Sequence, residues 1–161
     1  MKVEYLNPFV KSVVDILEAT VGKKPAKGKV FLRDKYPYKT EDVAILVGMT
    51  GMLAGQVVIS MGMNCAKGIA AIMLMEENLQ ELDEYAQSAL AEIANMVTAN
   101  ATIGLSEIGC SCDITPPSVV TGQRLEISCQ EHVKTIVIPL EMDIGHVDVN
   151  ISIVETAKYA R

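Results

Sequence analysis

Residues 43–66 read VAILVGMTGMLAGQVVISMGMNCA, and they determine the architecture of the chain more than any other segment. The segment carries no charge and is long enough to cross a bilayer, which takes about 20 apolar residues in a helix. Turn-forming pairs, Thr50-Gly51 and Gly55-Gln56, divide it and leave two β-branched runs, VAILV and QVVIS. Short apolar runs between turn residues are typical of buried strands. We therefore predict a β-hairpin, with a membrane-spanning helix as the alternative.

Composition and charge exclude several classes of function. The chain has 161 residues, half of them apolar and 4% aromatic, which predicts one domain, residues 1–161, with an aliphatic core. A net charge of −6, with no basic cluster longer than Lys23-Lys24, argues against nucleic acid as a partner. Lys2 and Glu4 interrupt the N-terminus, which lacks the apolar core of a signal peptide. We expect a cytoplasmic protein.

Apolar spacing and breaker residues predict the elements on either side of the hairpin. The predicted helices are Val3–Val21, ended by Gly22; a helix capped by Asn64 that runs to about Met75; and about Leu79–Ile103, ended by Gly104. The predicted strands are Lys29–Arg33, Asp42–Met49, Leu53–Met61, Ser111–Ile114, Arg124–Gln130, Lys134–Leu140 and Gly145–Val154. This pattern predicts an α+β fold in which long helices pack on a mainly antiparallel sheet.

Two short sequences recur at corresponding places in the chain. The tetrapeptide Ala19–Gly22, ATVG, returns as ATIG at Ala101–Gly104, each at the end of a long predicted helix. The hairpin arm AGQVVIS, residues 54–60, is echoed by IGHVDVN, residues 144–150. We therefore predict a duplicated architecture with half-repeats at about 1–62 and 79–154.

The cysteines raise the question of a metal site. Cys110, Cys112 and Cys129 precede His132, which is nominally a Cys3His ligand set for zinc. No CxxC pair is present, and alternation along a strand would place Cys110 and Cys112 on one side as small buried residues. The residue pattern favours structural cysteines, and we expect no metal.

The third predicted helix carries the candidate functional residues. At 100° per residue, Ser88, Glu92 and Asn95 fall within about 60° of one another on one face. The apolar residues Leu90, Ile93 and Val97 lie on the opposite side of the wheel. Neighbours of the polar face include Ala91 and Ala99, whose short side chains would allow another macromolecule to approach the backbone closely.

A solvated helix face is the simplest interpretation of this polar stripe, which Glu81 and Glu84 continue. Exposed helix faces, however, usually pair their acids with Lys or Arg three or four residues away. No Lys or Arg occurs between Glu76 and Gly109. The pattern therefore also fits a surface selected for contact with a partner.

These residues resemble the CheC/CheX/FliY chemotaxis phosphatase family. Its signature is matched by Ser88-x3-Glu92-x2-Asn95, followed by a proline that corresponds to Pro116 or Pro117. The similarity also includes the stretches GMTGMLAGQVVISM and ITPPSVVTG. Members of the CheC branch carry the acid–amide pair in both half-repeats. In this chain, alignment of the two half-repeats places Val10 and Val13 at the positions that correspond to Glu92 and Asn95. The single copy resembles the CheX-like branch.

The resemblance implies a CheC-like fold, a homodimer and a phosphatase for the phospho-aspartate of a receiver domain such as phospho-CheY. Asn95 would orient the attacking water, and Glu92 would accept a hydrogen bond from a lysine of the receiver. Ser88, Ala91 and Ala99 would contact the partner. No cofactor belongs to the chain itself, since the receiver would supply Mg²⁺. The alternative is a non-catalytic receiver-binding or flagellar-switch adaptor of the same fold.

Overall fold

A computed structural model describes residues 2–129 and 133–156. Its helices are α1 (Val3–Val21), α2 (Met63–Leu74) and α3 (Glu84–Glu107). Its strands are β1 (Ala26–Lys27), β2 (Phe31–Arg33), β3 (Tyr38–Lys39), β4 (Val43–Gly51), β5 (Leu53–Met61), β6 (Cys112–Ile114), β7 (Ser118–Thr121), β8 (Glu126–Ile127), β9 (Thr135–Met142) and β10 (Gly145–Glu155). The α+β prediction is confirmed, because three helices pack on a mainly antiparallel sheet.

The predicted hairpin forms the middle of the sheet as β4 and β5. The main strand order is β1-β9-β10-β5-β4-β6, with β2 also on β9 and β7 also on β4. Two hairpins, β4–β5 and β9–β10, are joined through the antiparallel pairing of β5 with β10. No helix within residues 2–129 and 133–156 is long and apolar enough to cross a membrane. Residues 43–61 of the charge-free segment thus form two strands of the core, and the segment ends in the first turn of α2.

Alternation along the strands places one face of the sheet against the helices. On β4, Val43, Ile45 and Val47 are at most 1% exposed and belong to one apolar cluster with residues of all three helices. Period-2 alternation sends every second side chain to that face. The helices bury this face, so their outer surfaces remain available to a partner.

The ends of two helices differ from their predicted positions. The backbone of Gly62, not the side chain of Asn64, stands at the N-cap of α2. Helix α3 begins at Glu84 after Asp83, whose side chain accepts a hydrogen bond from the Ala86 N–H at 2.9 Å. An aspartate cap of this kind satisfies a free backbone donor at the helix start.

Helix α3 also continues past Gly104, where the sequence predicts its end. A Cβ at Gly104 would lie 3.0 Å from the Pro8 Cβ of α1. The glycine therefore permits close packing of the two helices instead of ending one of them. The break comes at Gly109, which has a φ of 79°.

The proposed half-repeats at about 1–62 and 79–154 stay a prediction. One feature of the sheet fits them: Ile59 and Val149, which correspond in the AGQVVIS and IGHVDVN sequences, face each other across the β5–β10 pair. On α1, Val13 is fully buried and Val10 is half-buried. Helix α1 therefore has no acid–amide pair at the two positions that correspond to Glu92 and Asn95.

Gly55 should tolerate no side chain, because of its position where β5 meets β10. Its φ is 148°, and a Cβ would overlap the carbonyl oxygen of Ser152. We expect Gly55→Ala to lower the free energy of unfolding by about 3 kcal/mol or more, measured by urea denaturation. Gly22→Ala is the matched control, since Gly22 also has a positive φ, 75°, with no atom within 4 Å of its Cβ position. It should cost about 1 kcal/mol, and equal losses would contradict this account of Gly55.

Candidate functional site

A groove with a volume of about 480 Å³ lies between α3 and the segment that joins β6 to β7. It is lined by Ser88, Ala91, Glu92, Asn95, Ile114, Thr115, Pro116 and Pro117. Four of the five residues predicted for the site on α3 thus line one groove, together with both candidate prolines. The fifth, Ala99, is half-buried on the same helix but is not part of the lining.

The rotation of α3 about its axis is fixed by its buried face. Leu90, Ile93 and Val97 are at most 1% exposed, as predicted from the wheel. The Ser12 hydroxyl of α1 donates to the Val97 carbonyl at 2.7 Å, which ties the two helices together inside the protein. With this face buried, Glu92 is exposed and Asn95 is half-buried beside it.

The opposite wall of the groove is a short bulge of the chain between β6 and β7, which lies against β4. Strand β6 ends at Ile114, which pairs with Met49, and β7 resumes at Ser118, which pairs with Leu46. Between them, the Thr115 N–H donates to the Gly48 carbonyl at 2.9 Å, and the Gly48 N–H donates to the Thr115 hydroxyl at 2.9 Å.

Gly48 makes room for this arrangement. A Cβ there would lie 3.0 Å from both the Thr115 Oγ1 and Cγ2 atoms, tighter than side chains normally pack. The absence of a side chain lets Thr115 sit against the β4 backbone. The two prolines that follow limit the backbone of the wall further, because each ring fixes φ.

The polar side chains that α3 contributes to the groove have no partner among the described residues. Within residues 2–129 and 133–156, no hydrogen bond or ion pair involves the side chains of Ser88, Glu92 or Asn95. The groove lining contains no basic residue. A carboxylate without a counter-charge attracts a cationic donor, and a free carboxamide can both donate and accept hydrogen bonds. The site can therefore receive a charged, hydrogen-bonding group from outside.

Of the two lining residues that sequence reasoning did not single out, Ile114 and Thr115, only Thr115 makes side-chain hydrogen bonds in the described residues. It lies within the ITPPSVVTG stretch, directly before the two prolines. Its role depends on a hydrogen bond to Gly48, which is 67 residues away in the chain. No spacing pattern in the sequence reveals such a contact.

The four cysteines and His146 lie outside this groove. Cys129 accepts a hydrogen bond from the Gln56 side chain at 3.3 Å, while Cys110 and Cys112 lie together near the end of α3. No cluster of three or more potential ligands for a metal ion is found in the described parts of the chain. His132, the fourth member of the nominal zinc set, lies outside the described residues.

His146, on β10, has two acidic partners. Its ring nitrogens lie 2.6 Å from Glu141 and 2.8 Å from Asp148. Partial burial alone would lower the pKa of His146, but the hydrogen bonds to the two carboxylates outweigh it and hold the pKa above the ordinary 6.5. An imidazole bonded to acceptors at both nitrogens is best satisfied when protonated.

Comparison with known proteins gives the family context. The family model described as "Chemotaxis phosphatase CheX" matches residues 43–141, more than half of the chain. The CheY-P phosphatase CheX of Thermotoga maritima is 29% identical over 129 residues, covering 79% of this chain and 81% of that protein.

Two solved structures extend the similarity to the fold. A CheC-like superfamily protein from Shewanella sp. PV-4 matches with a TM-score of 0.85 and 28% identity, covering 96% of this chain and 99% of that one. A chain in the CheX–CheY–BeF3–Mg²⁺ complex from Borrelia burgdorferi matches with a TM-score of 0.81 and 25% identity, covering 96% of this chain and 100% of that one. The predicted CheC-like fold is therefore confirmed.

Removing the Thr115 hydroxyl should weaken the proline wall. We expect Thr115→Val to lower the free energy of unfolding by about 1 kcal/mol, because the Gly48 N–H loses its acceptor. Thr115→Ser keeps the hydroxyl and is the matched control, with an expected loss of a few tenths of a kcal/mol. Urea denaturation measures both, and a larger loss for the serine variant would contradict the role given to the hydroxyl.

Stability should depend on pH through His146. Because its folded pKa is above the unfolded value of 6.5, this histidine stabilises the protein fully below that pH and loses the contribution as pH rises through the folded pKa. We expect His146→Asn to reduce the fall in unfolding free energy above about pH 6.5, measured by urea denaturation across that range. An unchanged pH profile would contradict this assignment.

Proposed function

Since the chain belongs to the CheX chemotaxis phosphatase family, we propose that it hydrolyses the phospho-aspartate of a CheY-like receiver domain. The observation that carries the proposal is the groove in which Glu92 and Asn95 stand together, with no partner for either side chain in the described residues. The related protein from Thermotoga maritima is named a CheY-P phosphatase. The related chain from Borrelia burgdorferi was solved in a complex with CheY.

The chemistry requires little from the phosphatase beyond position. Phospho-aspartate is an acyl phosphate and is already activated, so its hydrolysis is limited by placing a water in line with the phosphorus atom. The receiver brings its own Mg²⁺ and lysine, which offset the charge of the phosphoryl oxygens. An added group must therefore hold a water without reacting itself.

Asn95 is the residue we assign to this role. Its carbonyl oxygen can accept a hydrogen bond from the water, while its NH₂ group donates to the water or to a phosphoryl oxygen. An amide neither changes charge near neutral pH nor becomes phosphorylated. The half-buried position of Asn95, on a helix tied to α1, limits its movement and favours one orientation.

Glu92 supplies the contact that sets the register of docking. It is exposed, and it lies one turn before Asn95 on the same face of α3. A charge-assisted hydrogen bond from the receiver lysine to this carboxylate would align Asn95 with the acyl phosphate. Ser88 and Ala91 line the same groove and would contact the receiver beside the pair.

Ala99 and the homodimer stay predictions. Ala99 is one turn beyond Asn95 and would meet the receiver outside the groove. The homodimeric state implied by the family resemblance can be checked by measuring the mass of the protein in solution.

Replacing Asn95 should abolish catalysis while leaving docking intact. We expect Asn95→Ala to lower the rate at which an acyl-phosphorylated receiver loses phosphate by about 10²-fold, with little change in KM. Asn100→Ala, at an exposed position of the same helix outside the groove, is the control and should keep the full rate. If the protein binds the receiver but does not accelerate loss of phosphate even before mutation, it is an adaptor and the proposal is wrong.

Replacing Glu92 should weaken docking. We expect Glu92→Gln to raise KM or Kd for the phosphorylated receiver about tenfold, because one charge-assisted hydrogen bond is lost. The affinity of this variant should also fall less steeply with added salt. Glu107→Gln removes an exposed acid in the last turn of the same helix and should change neither quantity. An equal effect from both variants would indicate a general charge effect instead of a specific contact.

A further inference from the structure

Cys110 and Cys112 form a pair of thiols beside the proposed phosphatase site. Their Sγ atoms are 4.0 Å apart, and both are free. Cys110 is buried, with 4% of its surface exposed, while Cys112 is half-buried. The pair therefore has one thiol within reach of small solutes and a second thiol directly behind it.

The backbone around the pair links both walls of the groove. The Cys110 N–H donates to the Leu105 carbonyl at the end of α3 at 2.9 Å. Cys112 begins β6 opposite Gly51, and two residues later Ile114 lines the groove. A backbone shift that accompanies a change in the distance between the two thiols would therefore move one wall relative to the other.

Packing around Ser111 and Cys112 leaves little freedom to absorb such a change locally. A Cβ at Gly51 would lie 2.8 Å from the Ser111 carbonyl oxygen and 3.0 Å from the Cys112 Cα. The same carbonyl accepts a hydrogen bond from the Met52 N–H at 3.0 Å. By contrast, no atom lies within 4 Å of a Cβ position at Gly109, so the chain has open space before Cys110.

We propose that Cys110 and Cys112 are a reversible oxidation site for hydrogen peroxide, and that closure of their disulfide moves α3, one wall of the groove, relative to β6. The two sulfurs must approach from 4.0 Å to a bond of about 2.05 Å. The predicted effect on activity rests on the proposed phosphatase function, whereas the predicted oxidation of the two thiols is independent of that function.

The reaction balances with peroxide as the two-electron oxidant. The Cys112 thiolate attacks one peroxide oxygen, an S–O bond forms, the O–O bond breaks, and the departing hydroxide takes a proton to become water. Cys110, as its thiolate, then attacks the Cys112 sulfur; the S–S bond forms, the S–O bond breaks, and a second hydroxide leaves as water. The two sulfurs together lose two electrons, and a dithiol reductant restores both thiols.

The assignment of roles follows from exposure. Cys112 is the more accessible thiol, so it meets peroxide first. Burial, and after it the neighbouring Cys112, raise the pKa of the Cys110 thiol to about 11. Cys110 is therefore protonated near neutral pH, and the proton that it gives up in the second step is the one that the departing hydroxide takes up.

The first experiment counts thiols in the full chain after treatment with hydrogen peroxide, denaturation and alkylation. The reduced protein has four cysteines, and we expect two fewer alkylated thiols after oxidation, with dithiothreitol restoring both. Cys129→Ser is the matched control: Cys129 is also half-buried, and its loss should leave the oxidation unchanged. The Cys112→Ser variant, which lacks the pair, should show no loss of alkylated thiols after treatment with peroxide. Four alkylated thiols in treated wild type, or equal oxidation of Cys112→Ser, would overturn the proposal.

The second experiment follows loss of phosphate from an acyl-phosphorylated receiver. We expect oxidised wild type to act about tenfold more slowly than reduced protein, since displacement of a groove wall by about 1 Å is costly for catalysis. Cys112→Ser should keep the normal rate before and after peroxide. If the disulfide forms and the rate is unchanged, the displacement of the wall is refuted.

The two experiments test the oxidation site and the phosphatase function separately. Loss of two thiols in a protein that never accelerates loss of phosphate would refute the proposed function and retain the oxidation site. Four alkylated thiols in an active phosphatase would refute the oxidation site and retain the function.

Discussion

The apolar stripe on α3 is the constraint on which the site depends. Leu90, Ile93 and Val97 must be buried against the rest of the core, and this fixes the rotation of the helix about its axis. A helix turned by one residue would rotate by about 100° and would bring Glu92 toward the core. The exposure of Glu92 beside Asn95 is therefore a consequence of packing on the opposite face. Burial of apolar surface sets the direction in which the polar groups point.

The second wall of the groove depends on a different kind of contact. Thr115 meets Gly48 across the edge of the sheet, where β6 and β7 both pair with β4 and a short bulge separates them. Helix α3 and this bulge come from distant parts of the chain, and the sheet brings them together. The open groove, like the wall that Thr115 holds against β4, is thus a product of tertiary structure.

The sequence was sufficient for the features that rest on local patterns. The turn residues that divide residues 43–61 into short apolar runs predicted the central hairpin, and the helical wheel of residues 88–99 predicted which side of α3 is buried. It failed where tertiary contacts override local preference. Gly104 was expected to end α3, but it packs against Pro8 in the helix interior. The hydrogen bond between Thr115 and Gly48, which are 67 residues apart, depends on a neighbour that no local pattern reveals.

The central claim is that Asn95 reaches the phosphoryl group of a bound receiver. A crystal structure of this chain with a CheY-like receiver activated by beryllofluoride and Mg²⁺ tests it most directly, because the beryllofluoride stands in for the acyl phosphate. We predict that the Asn95 amide lies within about 3 Å of a fluoride, or of a water in line with the beryllium atom. A receiver docked on another face, or an Asn95 side chain that remains in solvent away from the beryllofluoride, would contradict the account.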